Sequence, residues 1–161
     1  MDTKIILALL ILSHVIADFV LQDNVIVEEK KTSFKGMFKH IGHYLLINLI
    51  LLLPYFNFNN NLWWIIISLS LAHWAIDRLK VEYDKKINDK GFESFMVDQV
   101  CHCILIGAYY PFIKDIQLNQ FAQAVGSLVL SNYPIFLNVT KQNSFNVIII
   151  LTGYIFNFKG A

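Results

Sequence analysis

The sequence predicts an all-α fold, a polytopic transmembrane helical bundle with four core helices and one or two further C-terminal segments. Three observations carry this. Hydrophobic residues make up 56% of the 161 positions and charged residues only 16%, against roughly a quarter charged in an ordinary soluble domain. Apolar stretches recur at about 4–22, 41–56, 62–77 and 95–113, each near the ~20 residues of a membrane span once its amphipathic flank is counted. Basic residues gather in two of the connections between those stretches, as membrane topology requires.

The first segment follows Lys4, so a cleaved signal peptide competes with a retained helix. Asp18 inside the run, the lack of a small-x-small cleavage site and the apolar segments downstream point to a retained helix. The second begins with His40 and His43, the third holds SLAHWAIDRLK, and the fourth holds MVDQVCHC. Two weaker segments, near 120–138 and 144–158, carry Gln, Asn, Gly and Pro134 but no charge pair; they are expected to pack around the core, either spanning or interfacial. The chain therefore divides into a four-helix core, 1–113, and C-terminal helical segments, 114–161.

Orientation follows from the loops. Lys30, Lys31, Lys35 and Lys39 lie between the first two segments, and Arg78, Lys80, Lys85, Lys86 and Lys90 between the third and fourth, whereas NFNNN carries no positive charge. Lys and Arg are retained on the cytoplasmic side, which predicts a multi-pass protein of the inner (plasma) membrane with both basic loops cytoplasmic. The same loops suit anionic lipid headgroups. A net charge of +1 supplies no field for nucleic acid.

Within this frame three pairs stand out: His14 and Asp18, His73 and Asp77, Asp98 and His102. Each pair is four residues apart, which stacks the two side chains on one helix face. The first and third helices run toward the cytoplasm with His first, and the fourth runs away from it with Asp first, so every Asp is nearer the cytoplasm and every His about 6 Å deeper. With His40 and His43 at the start of the second helix, all five histidines of the chain fall at one end of four helices. Ionisable groups inside a membrane cost several kcal/mol unless paired, ligated or hydrated. A single pair reads most simply as a hydrogen bond between helices; three pairs and a dihistidine at one depth read as a site.

Imidazole and carboxylate together suit Zn, Mn or Fe, a divalent transition metal, better than Mg or Ca. His14, Asp18, His43, His73, Asp77 and His102 are the expected ligands, Asp98 the general base and His40 a proton donor. Gln22, Lys80 and Gln99 continue the polar stripe as candidate substrate contacts, with a snorkelling role as the plainer reading of Lys80. Cys101 and Cys103 flank His102, but neighbours on a helix point about 100° apart and cannot converge on one ion. They read as small membrane-helix residues.

HVIADFVLQ, then a histidine-led second helix, then HWAID before Arg-Leu-Lys, then DQVCH resemble a widespread group of small prokaryotic integral-membrane proteins catalogued as a domain of unknown function. Its pattern is H-x-x-A-D-F-x-x-Q, later H-x-x-x-D and later D-Q-x-x-H. The resemblance covers about residues 9–105 and falls on His14, Asp18, Phe19, Gln22, His73, Asp77, Asp98, Gln99 and His102. The arrangement is also similar to that of prokaryotic membrane-bound proteins described as metal-dependent hydrolases. Family members that continue further at the C-terminus imply a short form or a fragment here.

The resulting expectation is a membrane metal-dependent hydrolase of an ester or phosphoester, acting on a lipid or small-molecule substrate and open to oligomerisation. Two other classes stay open: a carrier for metal ions or protons, and a non-catalytic interaction protein with a structural metal clamp. The outer halves of the helices, such as ILALLIL and INLILLL, hold almost no polar residues, which disfavours a relay across the membrane.

Overall fold

The computed structural model describes residues 2–87 and 91–132. Its described elements are helices: α1 (Asp2–Val15) running into a π-helical turn (Ile16–Val20), α2 (Asn24–Thr32), α3 (Phe34–Leu52) ending in a 3-10 turn (Leu53–Tyr55), α4 (Leu62–Ile87), α5 (Phe92–Ala108), the short α6 (Tyr110–Ile113) and α7 (Gln120–Asn132). The all-α prediction holds, with no strand among the described residues. The segment expected at 144–158 and the end of 120–138 lie outside those residues.

Two helical stretches are long and apolar enough to cross a membrane, Asp2–Val20 and Phe34–Tyr55. The other two core helices do not meet that measure. α4 has the length at 26 residues, but its apolar run is diluted by His73, Asp77 and Arg78, and α5 has only 17 residues.

Helix ends follow local chemistry. Asp23 caps α2 by accepting the Ile26 N–H at 2.8 Å, and Ser33 caps α3 by accepting the Gly36 N–H at 3.0 Å, each satisfying a donor that the first turn leaves over. The α2–α3 corner is tight: a Cβ at Gly36 would overlap the Glu29 backbone. The connection read from sequence as a basic loop is therefore a helix folded against α3, because its Ile26 and Lys30 share a face and both are buried. Lys85 Nζ on α4 donates to the Lys31 carbonyl at the C-terminal end of α2, where cations are favoured.

α1, α3, α4 and α5 form the core. Ile6 and Leu10 of α1, Leu52 at the end of α3 and Tyr55 in the turn after it, Leu62, Ile66 and Leu69 of α4, Ile106 of α5 and Ile113 of α6 are all buried in one cluster. Thr3 Oγ1 donates to the Lys114 carbonyl, and Asn119 caps α7 while its side-chain amide bonds the Leu53 and Phe56 carbonyls. The outer surface is apolar as well. Trp64, Ile67 and Leu71 of α4 and Val97, Val100 and Ile104 of α5 are exposed, each set recurring at the i, i+3, i+7 spacing of a helical stripe.

Candidate metal centre

Beside this apolar cluster, one turn along α1 and α4, the interior changes character. His14, His40, His73, Asp77, Asp98 and His102 are buried, and Asp18 is nearly so. α1 contributes His14, its π turn Asp18, α3 His40, α4 His73 and Asp77, and α5 Asp98 and His102. The π turn was not foreseen. It is closed by the Leu21 N–H bonding the Ile16 carbonyl at 2.9 Å, and such widened turns recur at functional sites.

Four atoms gather most closely. His40 Nε2 lies 3.2 Å from His73 Nε2, 3.5 Å from Asp18 Oδ1 and 3.1 Å from Asp77 Oδ2. His73 Nε2 is 3.6 Å from each of the same two carboxylate oxygens. Metal–ligand bonds of ~2.0–2.1 Å in a tetrahedron put neighbouring ligand atoms ~3.3–3.4 Å apart. Five of the six edges of this set thus match a tetrahedral two-His, two-Asp shell.

A second set of donors adjoins it. The His14, His73 and His102 rings lie 4.2–5.4 Å apart between centroids, the layer of three histidines that helix geometry predicted. His102 Nδ1 is 2.9 Å from the Asp98 backbone carbonyl; it can only donate to that acceptor, so the lone pair is on Nε2. Gln99 donates its amide to Asp98 Oδ2 at 3.1 Å and presents its carbonyl oxygen 3.2 Å from His14 Nε2. That protonates His14 at Nε2 and leaves Nδ1 bare, 3.7 Å from Asp18 Oδ1. Fixing the tautomer of a ligating histidine through its other nitrogen is the usual office of outer residues around a metal.

Buried polar atoms normally have hydrogen bonds. Here His14 Nδ1, His102 Nε2, Asp18 Oδ1, Asp77 Oδ1 and Asp98 Oδ1 make none among the described residues. Three ligand groups result, each with its atoms within 4.8 Å: His14, His73 and His102; Asp18, His40 and His73; Asp77, Asp98 and His102. Each of these groups could hold a metal ion.

Most of the sequence-predicted residues meet here, with one exchange. The buried stripe of α3 is Met37, His40, Tyr44, Asn48 and Leu51, so His40, expected as a proton donor, enters the ligand set. His43, expected as a ligand, lies off that stripe, only partly buried, and belongs to none of the three groups. Gln99 contacts the centre directly. Gln22 reaches it through Lys30, whose Nζ donates to Gln22 Oε1 at 3.2 Å. Lys80 points elsewhere, donating to Asp84 Oδ2 at 2.9 Å. Cys101 and Cys103 are free and exposed while His102 between them is buried, so they do not join it.

Two neighbours of the centre went unread in the sequence. Lys30 is buried with its Nζ 3.0 Å from Asp77 Oδ2, and the Ile26/Lys30 spacing was the signal that could have found it. Tyr44 stacks on the His73 ring at 4.3 Å, and its backbone carbonyl accepts from Asn48, which is itself 2.7 Å from Ser13 Oγ of α1. The α3 stripe contained that clue.

A groove of about 650 Å³ runs between α4 and α5, lined by Ile76, Leu79, Lys80, Tyr83, Val97 and Asp98 among others. Asp98 belongs both to this groove and to the buried cluster, so the groove borders the centre at that residue. Ser94 and Lys80, which line the groove, both donate to Asp84. Burial acts to raise its carboxyl, but these two partners outweigh it and hold Asp84 below the usual carboxylate range.

The sequence model of one family, described as Protein of unknown function (DUF3307), matches residues 6–130. That span contains every residue of the centre. No curated protein and no solved structure matches the chain.

Proposed function

The chain belongs to this family of unknown function, and from that premise we propose that it is a multi-pass membrane protein whose buried His/Asp centre holds a divalent transition metal and hydrolyses an ester or phosphoester. One observation carries the reading: His40, His73, Asp18 and Asp77 bring four ligand atoms together with five of their six separations at 3.1–3.6 Å, near the spacing of a metal shell. Charge supports it. Asp18, Asp77 and Asp98 crowd three carboxyl groups beside Lys30 in a buried volume, and a divalent ion there is a counter-charge for carboxylates. Buried charge without compensation costs several kcal/mol.

A bound ion would supply Lewis acidity, polarising an ester or phosphoester oxygen and acidifying water. The protein's own residues do the rest. Asp77 is oriented by Lys30, and the Gln99 amide holds Asp98 and His14 together. Asp98 meets the groove with its Oδ1 free of hydrogen bonds; a carboxylate there can take a proton from water or hold a cation. The exposed apolar stripes of α4 and α5 support lipid contact around the whole bundle. In this reading the basic segments around Lys31, Lys35 and Lys85 face the cytoplasm of a plasma membrane.

Elemental analysis of detergent-purified protein tests the proposal. At least one equivalent of Zn, Mn or Fe is expected in the wild type and none in a folded His73→Ala variant, together with phosphoester turnover that a chelator stops and metal restores. Folded wild-type protein that binds no such metal would end it.

A further inference from the structure

The geometry points to a second cation position beside the first, shared through Asp77 and filled together with a phosphate group. This rests on the metal-centre reading above and deepens it by naming the class of ligand. Asp77 is buried with its two oxygens facing different partners: Oδ2 completes the tetrahedral set with His40 and His73, while Oδ1 points toward His102 Nε2 at 4.0 Å. Both of those last atoms lack hydrogen bonds among the described residues, as does Asp98 Oδ1, and the three residues form one ligand group. The Nδ1–H bond from His102 to the Asp98 carbonyl keeps the lone pair of Nε2 directed into this position. A carboxylate with one oxygen on each of two adjoining donor sets has the form of a bridging ligand, as in two-metal sites with ions ~3.5–4 Å apart. Asp98 thereby becomes a ligand of the second position.

Lys80 and Lys86 line the α4–α5 groove together with Asp98. A phosphate group entering it, whether carried by a lipid or by a soluble molecule, meets those ammonium groups, and its oxygens can share the second cation with Asp98. Linkage then requires phosphate and the second cation to tighten each other's binding by the same factor.

Equilibrium dialysis of the full-length, detergent-purified protein with manganese(II), read by elemental analysis and electron paramagnetic resonance, tests this. One equivalent is expected without phosphate. Adding inorganic phosphate is expected to bring in a second, with at least tenfold tighter half-saturation and a spin-coupled signal, and a folded Asp98→Asn variant is expected to stop at one. Parallel dialysis with a short-chain phosphatidic acid separates the sources: a stronger effect than inorganic phosphate assigns a lipid headgroup, an equal one a soluble phosphate. Wild-type protein that stays at one equivalent with either phosphate, or binds two equally well without any, overturns the inference and leaves the single-metal reading standing. No bound metal in any condition removes the single-metal reading itself.

Discussion

Around Ile6, Leu10, Leu62 and Ile66 the core helices meet chiefly through apolar side chains, whereas a turn or so beyond, the same helices meet through His14, Asp18, His73, Asp77 and His102. At the first end each buried aliphatic side chain contributes about 1.5–3 kcal/mol in water-transfer terms. At the second end every charge brought inside costs free energy until it is paired or ligated. The apolar end therefore holds the helices in place, and the polar end is held by them. That difference lets His14 Nδ1, His102 Nε2 and the Oδ1 atoms of Asp18, Asp77 and Asp98 remain without hydrogen bonds among the described residues, in groups that could hold a metal ion.

The comparison can be broken most severely at Asp77. Replacing it with Ala leaves the buried Lys30 without its carboxylate and removes an atom from the tetrahedral set; a loss of metal and about 3–5 kcal/mol of stability is expected, read by metal content and by unfolding in mixed micelles. Lys30→Met sharpens the point, because it strips the compensating cation. It is expected to cost a similar ~3–5 kcal/mol in chelator and clearly less with metal present, since the ion then takes over the compensation. Equal loss in both conditions would mean that Asp77 needs the lysine and not an ion.

At the apolar end Leu10→Ala is expected to cost about 2–5 kcal/mol with metal content unchanged. Metal loss in that variant would show the two ends to be one cooperative unit. Gly36→Ala pushes a methyl into the Glu29 backbone and is expected to cost about 1–3 kcal/mol while displacing Lys30 on α2, visible as faster chemical labelling of that amine.

The smallest effect belongs to Asp84, which is outside both ends. Its folded carboxyl is held below the ordinary value, so its contribution is present above the usual carboxylate range and is lost as pH falls through the lowered folded value. Asp84→Asn is expected to lower stability slightly near neutrality, by about 0.5 kcal/mol as for other partly solvated pairs, and to flatten that acid-side loss in a pH series of unfolding midpoints.

Much of the centre was legible before any coordinates. The His/Asp pairs at 14 and 18, 73 and 77, and 98 and 102 depend only on the repeat of a helix, and the structure brings all six residues together. The region 24–32 misled because its lysines match a topology signal, and composition does not distinguish a solvated lysine from one folded under a neighbouring helix. Helix periodicity also ran short at α3, where the three-residue step from His40 to His43 leaves a difference of about 60° in direction. Only the stripe from Met37 to Leu51 shows which of them turns inward.

By itself the sequence determined that the chain is helical and apolar, and that carboxylates and imidazoles recur at one level of several helices, because those properties follow from local composition and the 3.6-residue turn. Tertiary structure alone decided that Asp77 would sit between two donor sets, that His40 and not His43 would join the buried cluster, and that Lys30 would reach Asp77. These depend on how far α1, α4 and α5 slide past one another and on the close approach of α2 and α3 at Gly36, distances between segments that spacing along the chain does not encode.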